Sequence, residues 1–252
     1  MHDPVIVCPY VFDADLDEVR LAFRLDEPAG SRLPFFFWKD EKLVGPEIAY
    51  ERCWMEFPDR DVIIMHTDMK PMPDDQTNRW YDSLLDHARS IPDAGMLACN
   101  LLYPIRSADG TWLVQCAGGY FQDRKIHHIG GGVDVGEKVI HDTAVPLTED
   151  IEKVRRVGWV TFGGVYIRRE VLDACGPVDR RYRWAYVMDV DYSLEARSRG
   201  YDLYQVPVNL LHFESRTLKR LNWMTPDNIA QLNENYRLFY EKWADWLEDH
   251  PS

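Results

Sequence analysis

The run Asp61-Val62-Ile63-Ile64-Met65-His66-Thr67-Asp68 decides how the chain is read. Val62, Ile63 and Ile64 are β-branched, and with Met65 they make an unbroken apolar stretch that suits a short strand buried on both faces. The stretch runs straight into a histidine and a carboxylate. Polar groups set just past a buried strand stand at the carboxyl edge of a sheet, where open α/β sheets bind ligands. Working outward, a helix is expected over 46–57, with Pro46 suited to its first turn, and an amphipathic helix over 75–90 carries Trp80, Leu84, Leu85 and Ala88. Strands are expected at 5–8, 33–38 and 96–102, with a helix at 15–25. Strand and helix therefore alternate over the first hundred or so residues, the pattern of an α/β sheet with parallel strands.

Beyond that point the pattern changes. A strand is expected over 111–120, a glycine-rich loop over 125–136, and strand-like structure over 157–168 around Gly163-Gly164. A helix over 189–199 is ended by Gly200, a strand over 201–206 closes at Pro207, and an aromatic-rich helix covers 226–248. The sequence holds no internal repeat, low-complexity tract or evident linker.

The 252 residues are 46% hydrophobic and 28% charged, which fits a globular protein and excludes a disordered, collagenous or membrane-spanning one. Lys and Arg number 29 against 42 Asp and Glu, a net charge of -13 that a nucleic-acid backbone would repel. The five cysteines are odd in number, scattered and without a CxxC pair, so neither a disulfide framework nor a zinc cluster is expected and a reducing compartment fits. The start, Met1-His2-Asp3-Pro4, lacks the basic and apolar regions of a signal peptide. No apolar run approaches the ~20 residues a transmembrane helix needs. The expectation is a cytoplasmic location, extending to a peripheral place at the membrane.

Three groups of residues offer chemistry. His66-Thr67-Asp68 can hold a divalent cation against a diphosphate, although an Asp there also suits a turn before Pro71 and Pro73. Asp189 and Asp191 open a helix, where one carboxylate can cap and the other face a cleft as a general base; both can equally serve only to complement the helix dipole. His212 follows an apolar strand and is either a hydrogen-bonded structural residue or a partner for a Mn²⁺-like ion. His127-His128 and Gly130-Gly131-Gly132 match neither a P-loop nor the dinucleotide fingerprint.

Taken in order, these segments resemble the inverting glycosyltransferases of family 2, enzymes of the GT-A fold, and their rhamnosyltransferase-like branch most of all. The resemblance runs from about residue 61 to 214. It rests on His66-Thr67-Asp68, Pro73 ahead of the Trp80 helix, Tyr103-Pro104 with Asp109-Gly110, and Gly163-Gly164 followed by Arg168-Arg169-Glu170-Val171. Gly176-Pro177-Val178-Asp179, Met188-Asp189-Val190-Asp191, Ala196-Arg197, Gly200-Tyr201, Pro207 and His212 complete it.

The resemblance implies a single GT-A domain over 1–252: an α/β fold with a Rossmann-like mixed sheet flanked by helices. Its nucleotide-binding half would be 1–102, its acceptor and catalytic half 103–215, and its helical tail 216–252. Asp68, His212 and His66 would hold Mn²⁺ or Mg²⁺. Pro9, Tyr10, Asp40, Thr67, Asp68, Gly163 and Gly164 would bind the nucleotide-sugar, a UDP-, GDP- or dTDP-sugar. Asp189 would be the general base, with Asp191 as second choice, and the acceptor a glycan or lipid-linked saccharide. Trp112, Trp159, Trp184 and Trp223 are candidates to stack on sugar rings. The chain departs from the family at three places. His66 stands where Asp or Asn is usual, Met188 replaces a Glu, and Lys39-Asp40-Glu41-Lys42 replaces a longer acidic motif. Those departures keep a second reading open, a nucleotide-sugar or glycan-binding module of the same fold without turnover. A sugar nucleotidyltransferase is disfavoured, because residues 9–17 contain no Gly, Lys or Arg.

Overall fold

A computed structural model describes residues 4–131, 145–184, 186–213, 216–223 and 225–250. Three apolar segments form the parallel heart of the sheet: β1 (Val5–Tyr10) lies between β2 (Phe35–Lys39) and β3 (Val62–Ile64). Val62, Ile63 and Ile64 are fully buried, as a strand covered on both faces requires. Helices α1 (Asp13–Ala22), α2 (Pro46–Met55) and α3 (Arg79–Ser90) connect and flank these strands. The helix expected from residue 75 begins at Arg79 instead. Asp75 stays outside and accepts the backbone N–H groups of Arg79 and Trp80, each at 2.8 Å, satisfying donors a helix start leaves orphaned.

The sheet is mixed. Strand β11 (Val165–Ile167) inserts antiparallel between β3 and β5 (Ala94–Arg106), and β12 (Asp202–His212) runs parallel to β5 on its other side. Of the strand-like stretch at 157–168, only β11 is a strand of this sheet. With β10 (Arg155–Arg156) at one edge, the order is β10-β12-β5-β11-β3-β1-β2. Short β4 (Met69–Pro71) pairs with β12, and β6 (Trp112–Cys116) pairs with both β5 and β9 (Val145–Pro146). Part of the expected loop at 125–136 is strand: β8 (Lys125–His128) pairs with β7 (Gly119–Gln122), and residues 132–136 lie outside the described residues.

Strand β12 does not stop at Pro207. The register slips between Val206 and Asn209, and the bulge accommodates a proline that cannot donate to the ladder. The strand then continues to His212.

On the far side, α4 (Arg169–Cys175), α5 (Met188–Ser198) and the long α7 (Pro226–Asp249) pack together. Their polar anchor is Asp191, which is 2% exposed. Its carboxylate accepts from Trp243 Nε1 at 2.6 Å, Tyr182 Oη at 3.0 Å and Lys242 Nζ at 2.9 Å. Removing it leaves the Trp243 and Tyr182 donors unsatisfied in the interior, at about 1–3 kcal/mol each. Asp191→Ala is expected to lower the unfolding free energy by about 3 kcal/mol in a urea titration, with Lys242 still held by Glu195 at 2.8 Å.

Candidate functional site

Three loops meet at the carboxyl ends of β1, β2 and β3. The segment after β3 supplies His66, Thr67 and Asp68, with Thr67 and Asp68 buried. Antiparallel pairing of β4 with β12 sets Met69 opposite His212, and the Asp68 carbonyl accepts the Phe213 N–H at 2.8 Å. His212 is thereby delivered to the same point from more than a hundred residues away. One ligand atom from each of His66, Asp68 and His212 lies within 4.8 Å of the others.

The electrostatics suit a cation. Asp68 Oδ1 faces His212 Nε2 at 3.2 Å, and Oδ2 accepts the Arg216 N–H, also at 3.2 Å. Burial alone would push the Asp68 carboxyl up. The hydrogen bond from His212, the pull of the two histidines and the Arg216 N–H outweigh it, so the group sits well below the usual carboxylate range and stays ionised. Burial, reinforced by His212, pulls His66 down to about 4, so its imidazole is neutral at pH 7. His66 Nε2 is shut off from solvent and has no hydrogen-bond partner among the described residues. Two imidazoles and a carboxylate, one imidazole with an orphaned ring nitrogen, form a donor set that can take a divalent transition-metal ion such as Mn²⁺, Fe²⁺ or Zn²⁺.

Gln115 of β6 escaped the sequence reading. Its Oε1 lies 2.5 Å from His212 Nδ1, and an amide oxygen can only accept, so Nδ1 donates to Gln115 and the ring is oriented with Nε2 toward Asp68. A lone glutamine in a strand gives no sequence signal of this duty.

His66, Asp68 and His212 line a cleft of about 250 Å³ together with Pro9, Tyr10 and Asp40. Thr67 lines it as well, and Thr217, Leu218 and Leu221, from and beside α6 (Arg216–Arg220), form another side. Asp40 shapes the loop: its carboxylate accepts Val44 N–H at 2.9 Å and Gly45 N–H at 3.3 Å, while its own N–H donates to the Tyr10 carbonyl at 2.7 Å. Of the tryptophans considered, Trp184 lines the cleft, whereas Trp159 and Trp223 are buried and Trp112 stacks with Arg106.

The remaining expected residues stand apart from the cleft lining. At Gly163 an added Cβ would meet Leu101 at 3.2 Å and the His66 ring at 3.4 Å, so this segment runs alongside that imidazole. Gly164 faces Leu210, Met69 and Cys99 with φ +64, a conformation that favours glycine. Its surroundings are core side chains, and it does not line the cleft. Asp189 is held by the Thr161 hydroxyl and by the Val190 and Phe162 amides, and burial outweighs those bonds to raise its pKa. Segment 161–163 thus links Asp189 to His66, and Phe162 packs edge-on against Tyr50, which stacks on the His66 ring. Asp191, the second choice, points the other way into the α7 contact described above, where Tyr182, Lys242 and Trp243 engage its oxygens.

No family model matches the sequence, and no curated protein matches it. Among solved structures the chain is similar to GalNAc-T7, crystallised with UDP, GalNAc and Mn²⁺. The TM-score is 0.51 at 13% identity, over 83% of this chain and 43% of that one. The chain has the GT-A fold. It thus spans less than half of that GT-A protein's length. It is also similar to A197 from STIV, with a TM-score of 0.46 and 14% identity over 84% of this chain and 86% of that one. Among the described residues of the GT-A chain, no helix is long and apolar enough to cross a membrane.

Two outcomes are expected from this geometry. Gln115→Leu should weaken Mn²⁺ binding about 10–100-fold in a calorimetric titration, as loss of an outer partner of a metal-ligating histidine does, while Gln115→Glu retains most of it. His66, with its folded pKa below the unfolded value, contributes stability that is present above about pH 6.5 and lost as pH falls toward 4. Urea titrations at pH 7 and pH 5 should therefore show a smaller drop for His66→Gln than for the wild type. Glu47, raised to about 7, works in the opposite sense, so the difference between the two proteins is the quantity to read.

Proposed function

We propose that this chain is a metal-dependent inverting glycosyltransferase of the family 2, rhamnosyltransferase-like kind. In this reading it moves a hexose from a UDP-, GDP- or dTDP-sugar to a hydroxyl of a glycan or lipid-linked saccharide. The observation that carries the reading is the meeting of His66, Asp68 and His212 in a cleft walled by Pro9, Tyr10 and Asp40 at the sheet's carboxyl edge. That is where an α/β sheet takes a nucleotide. The fold neighbour was crystallised with UDP and Mn²⁺, the pair of ligands this donor set suits.

His66, Asp68 and His212 would hold the ion, which supplies Lewis-acid stabilisation of the departing diphosphate. Pro9, Tyr10 and Asp40 line the same cleft, and a nucleoside would lie against them. Asp189 takes the proton of the acceptor hydroxyl. As it does so, the acceptor oxygen bonds to the anomeric carbon on the face opposite the breaking carbon–oxygen bond, and the configuration inverts. The raised pKa of Asp189 suits this work, because a base accepts a proton better as its pKa nears the operating pH.

The test needs no known acceptor. A ligand that binds only the folded state raises the melting temperature by mass action. UDP-, GDP- and dTDP-sugars are screened with Mn²⁺, Mg²⁺ or EDTA. A metal-dependent rise with one nucleotide is expected, together with its loss in Asp68→Ala and its retention in Asp189→Asn. With acceptor supplied, Asp189→Asn should transfer less than about 1% of wild type, the scale of a lost general base. Nucleotide binding without transfer by the wild type would point instead to the module without turnover.

A further inference from the structure

Beside the cleft lies a second cavity of about 400 Å³, within the roughly 300–1,000 Å³ of ligand pockets. Leu43, Glu47, Ile48, Arg180, Arg183 and Trp184 wall it. Leu43, Gly45 and Trp184 also line the first cleft, so the two adjoin. Its unusual member is Glu47, a carboxylate only 5% exposed whose Oε2 has no hydrogen-bond partner among the described residues. Burial pushes it up to about 7 against the pull of its own backbone amide and the Arg183 charge. Gly45 makes room for it: a Cβ there would fall 2.6 Å from both carboxylate oxygens, and the φ of +98 favours glycine in any case.

An unpaired buried acceptor is costly, and a ligand that donates to it recovers that cost. The surroundings say which ligand. An anion would meet the Glu47 carboxylate, and a cation would meet Arg183. An apolar group would leave Oε2 unpaired. A neutral polyol satisfies the whole wall, because one hydroxyl donates to Glu47 while a neighbouring hydroxyl oxygen accepts from the Arg183 guanidinium. Arg180 is already committed to Glu51 at 2.9 Å, which leaves Arg183 as the donor. Trp184 adds a flat apolar face for the C–H side of a ring. Arg183 is held in place through its backbone, which donates to Asn235 Oδ1 at 3.3 Å and accepts from Asn235 Nδ2 at 2.9 Å.

We infer that the Glu47–Arg183–Trp184 cavity is a carbohydrate subsite that binds one neutral pyranose ring of the acceptor. It rests on the glycosyltransferase reading only in assigning that ring to the acceptor; the binding follows from the cavity itself.

The probes are the methyl pyranosides of glucose, galactose, mannose and N-acetylglucosamine, read on the full chain by saturation-transfer NMR. At least one should receive saturation from the wild type. Its affinity should fall about tenfold or more in Glu47→Leu and in Arg183→Ala, as loss of a charge-assisted hydrogen bond predicts. Both variants should keep the melting rise given by nucleotide with Mn²⁺. Should Glu47→Leu fail to fold, Arg183→Ala, on the exposed wall, carries the same expectation. No saturation of any probe, or binding unchanged by the folded variants, overturns the inference. Displacement of the glycoside by equimolar inorganic phosphate also overturns it, since that marks an anion site. Glycoside binding that depends on Glu47, in a wild type with no nucleotide-dependent melting rise, sinks the transferase reading and supports the subsite.

Discussion

Everything at the candidate site depends on one antiparallel contact, the pairing of Met69–Pro71 with Leu210–His212. It is short, but it joins the loop after the central strand β3 to the end of the last strand of the sheet. Without it Asp68 is a carboxylate on a turn and His212 a histidine at a strand terminus. With it, the Asp68 carbonyl is tied to Phe213 N–H and the side chains of Asp68 and His212 face one another at 3.2 Å. The bulge at Pro207 belongs to the same device. By absorbing a proline without ending β12, it lets the strand travel far enough to present His212.

A second constraint acts from the other side of the molecule. Trp184, Tyr186 and Val187 all have positive φ, at 65, 63 and 68 degrees, a conformation that costs bulky residues of order 1–3 kcal/mol each. Such strain persists only where the surroundings impose it. Asn235, fully buried in α7, bonds to both backbone groups of Arg183, and α7 is itself fastened through Lys242 and Trp243 to Asp191. The long C-terminal helix therefore does more than cover apolar surface. It fixes the segment whose Trp184 lines both cavities, and its grip on Asp191 sets the rotation of α5 that leaves Asp189 on the side of the Thr161–Phe162 loop.

How much of this could be read from the sequence follows from what kind of signal each part leaves. The strands at 5–8 and 61–65 were legible because β-branched runs bounded by polar residues have few other uses, and the first stretch of alternation was enough for the fold class. Direction was not legible. Nothing in Val165-Tyr166-Ile167 says that it enters the sheet antiparallel between β3 and β5, since pairing is set by the path of the chain and not by periodicity. His66 and Asp68 could be proposed from local sequence alone, but His212 joined them only through a resemblance in motif order. Asp189 and Asp191 are two positions apart on a helix of about 100 degrees per residue, so they must face different ways. Which one turns inward is decided by Tyr182, Lys242 and Trp243, all distant from them in kind of signal if not in space. Gln115 and Glu47 left no trace, because a strand glutamine and an acid in a first helical turn each have an ordinary explanation.

The charge balance gives these placements a common logic. A chain with a net charge of -13 is a poor host for a diphosphate unless charge is supplied locally. Imidazoles ligate in the neutral form, so the set His66, Asp68 and His212 carries a single negative charge, and a divalent ion held there leaves the centre at +1. The nearby basic residues do not replace that charge, because Arg216 and Lys70 are paired with Glu18 and Arg220 with Asp15. A nucleoside diphosphate would thus be drawn to the ion itself, and to the wall that holds it. The second cavity has a different character, with the acidic Glu47 and the basic Arg183 both in its wall. On the proposed reading, the two adjoining cavities, one carrying an ion for anions and one lined by Glu47 and Arg183 for hydroxyls, would separate a charged donor from an uncharged acceptor before any contact with the sugar is considered.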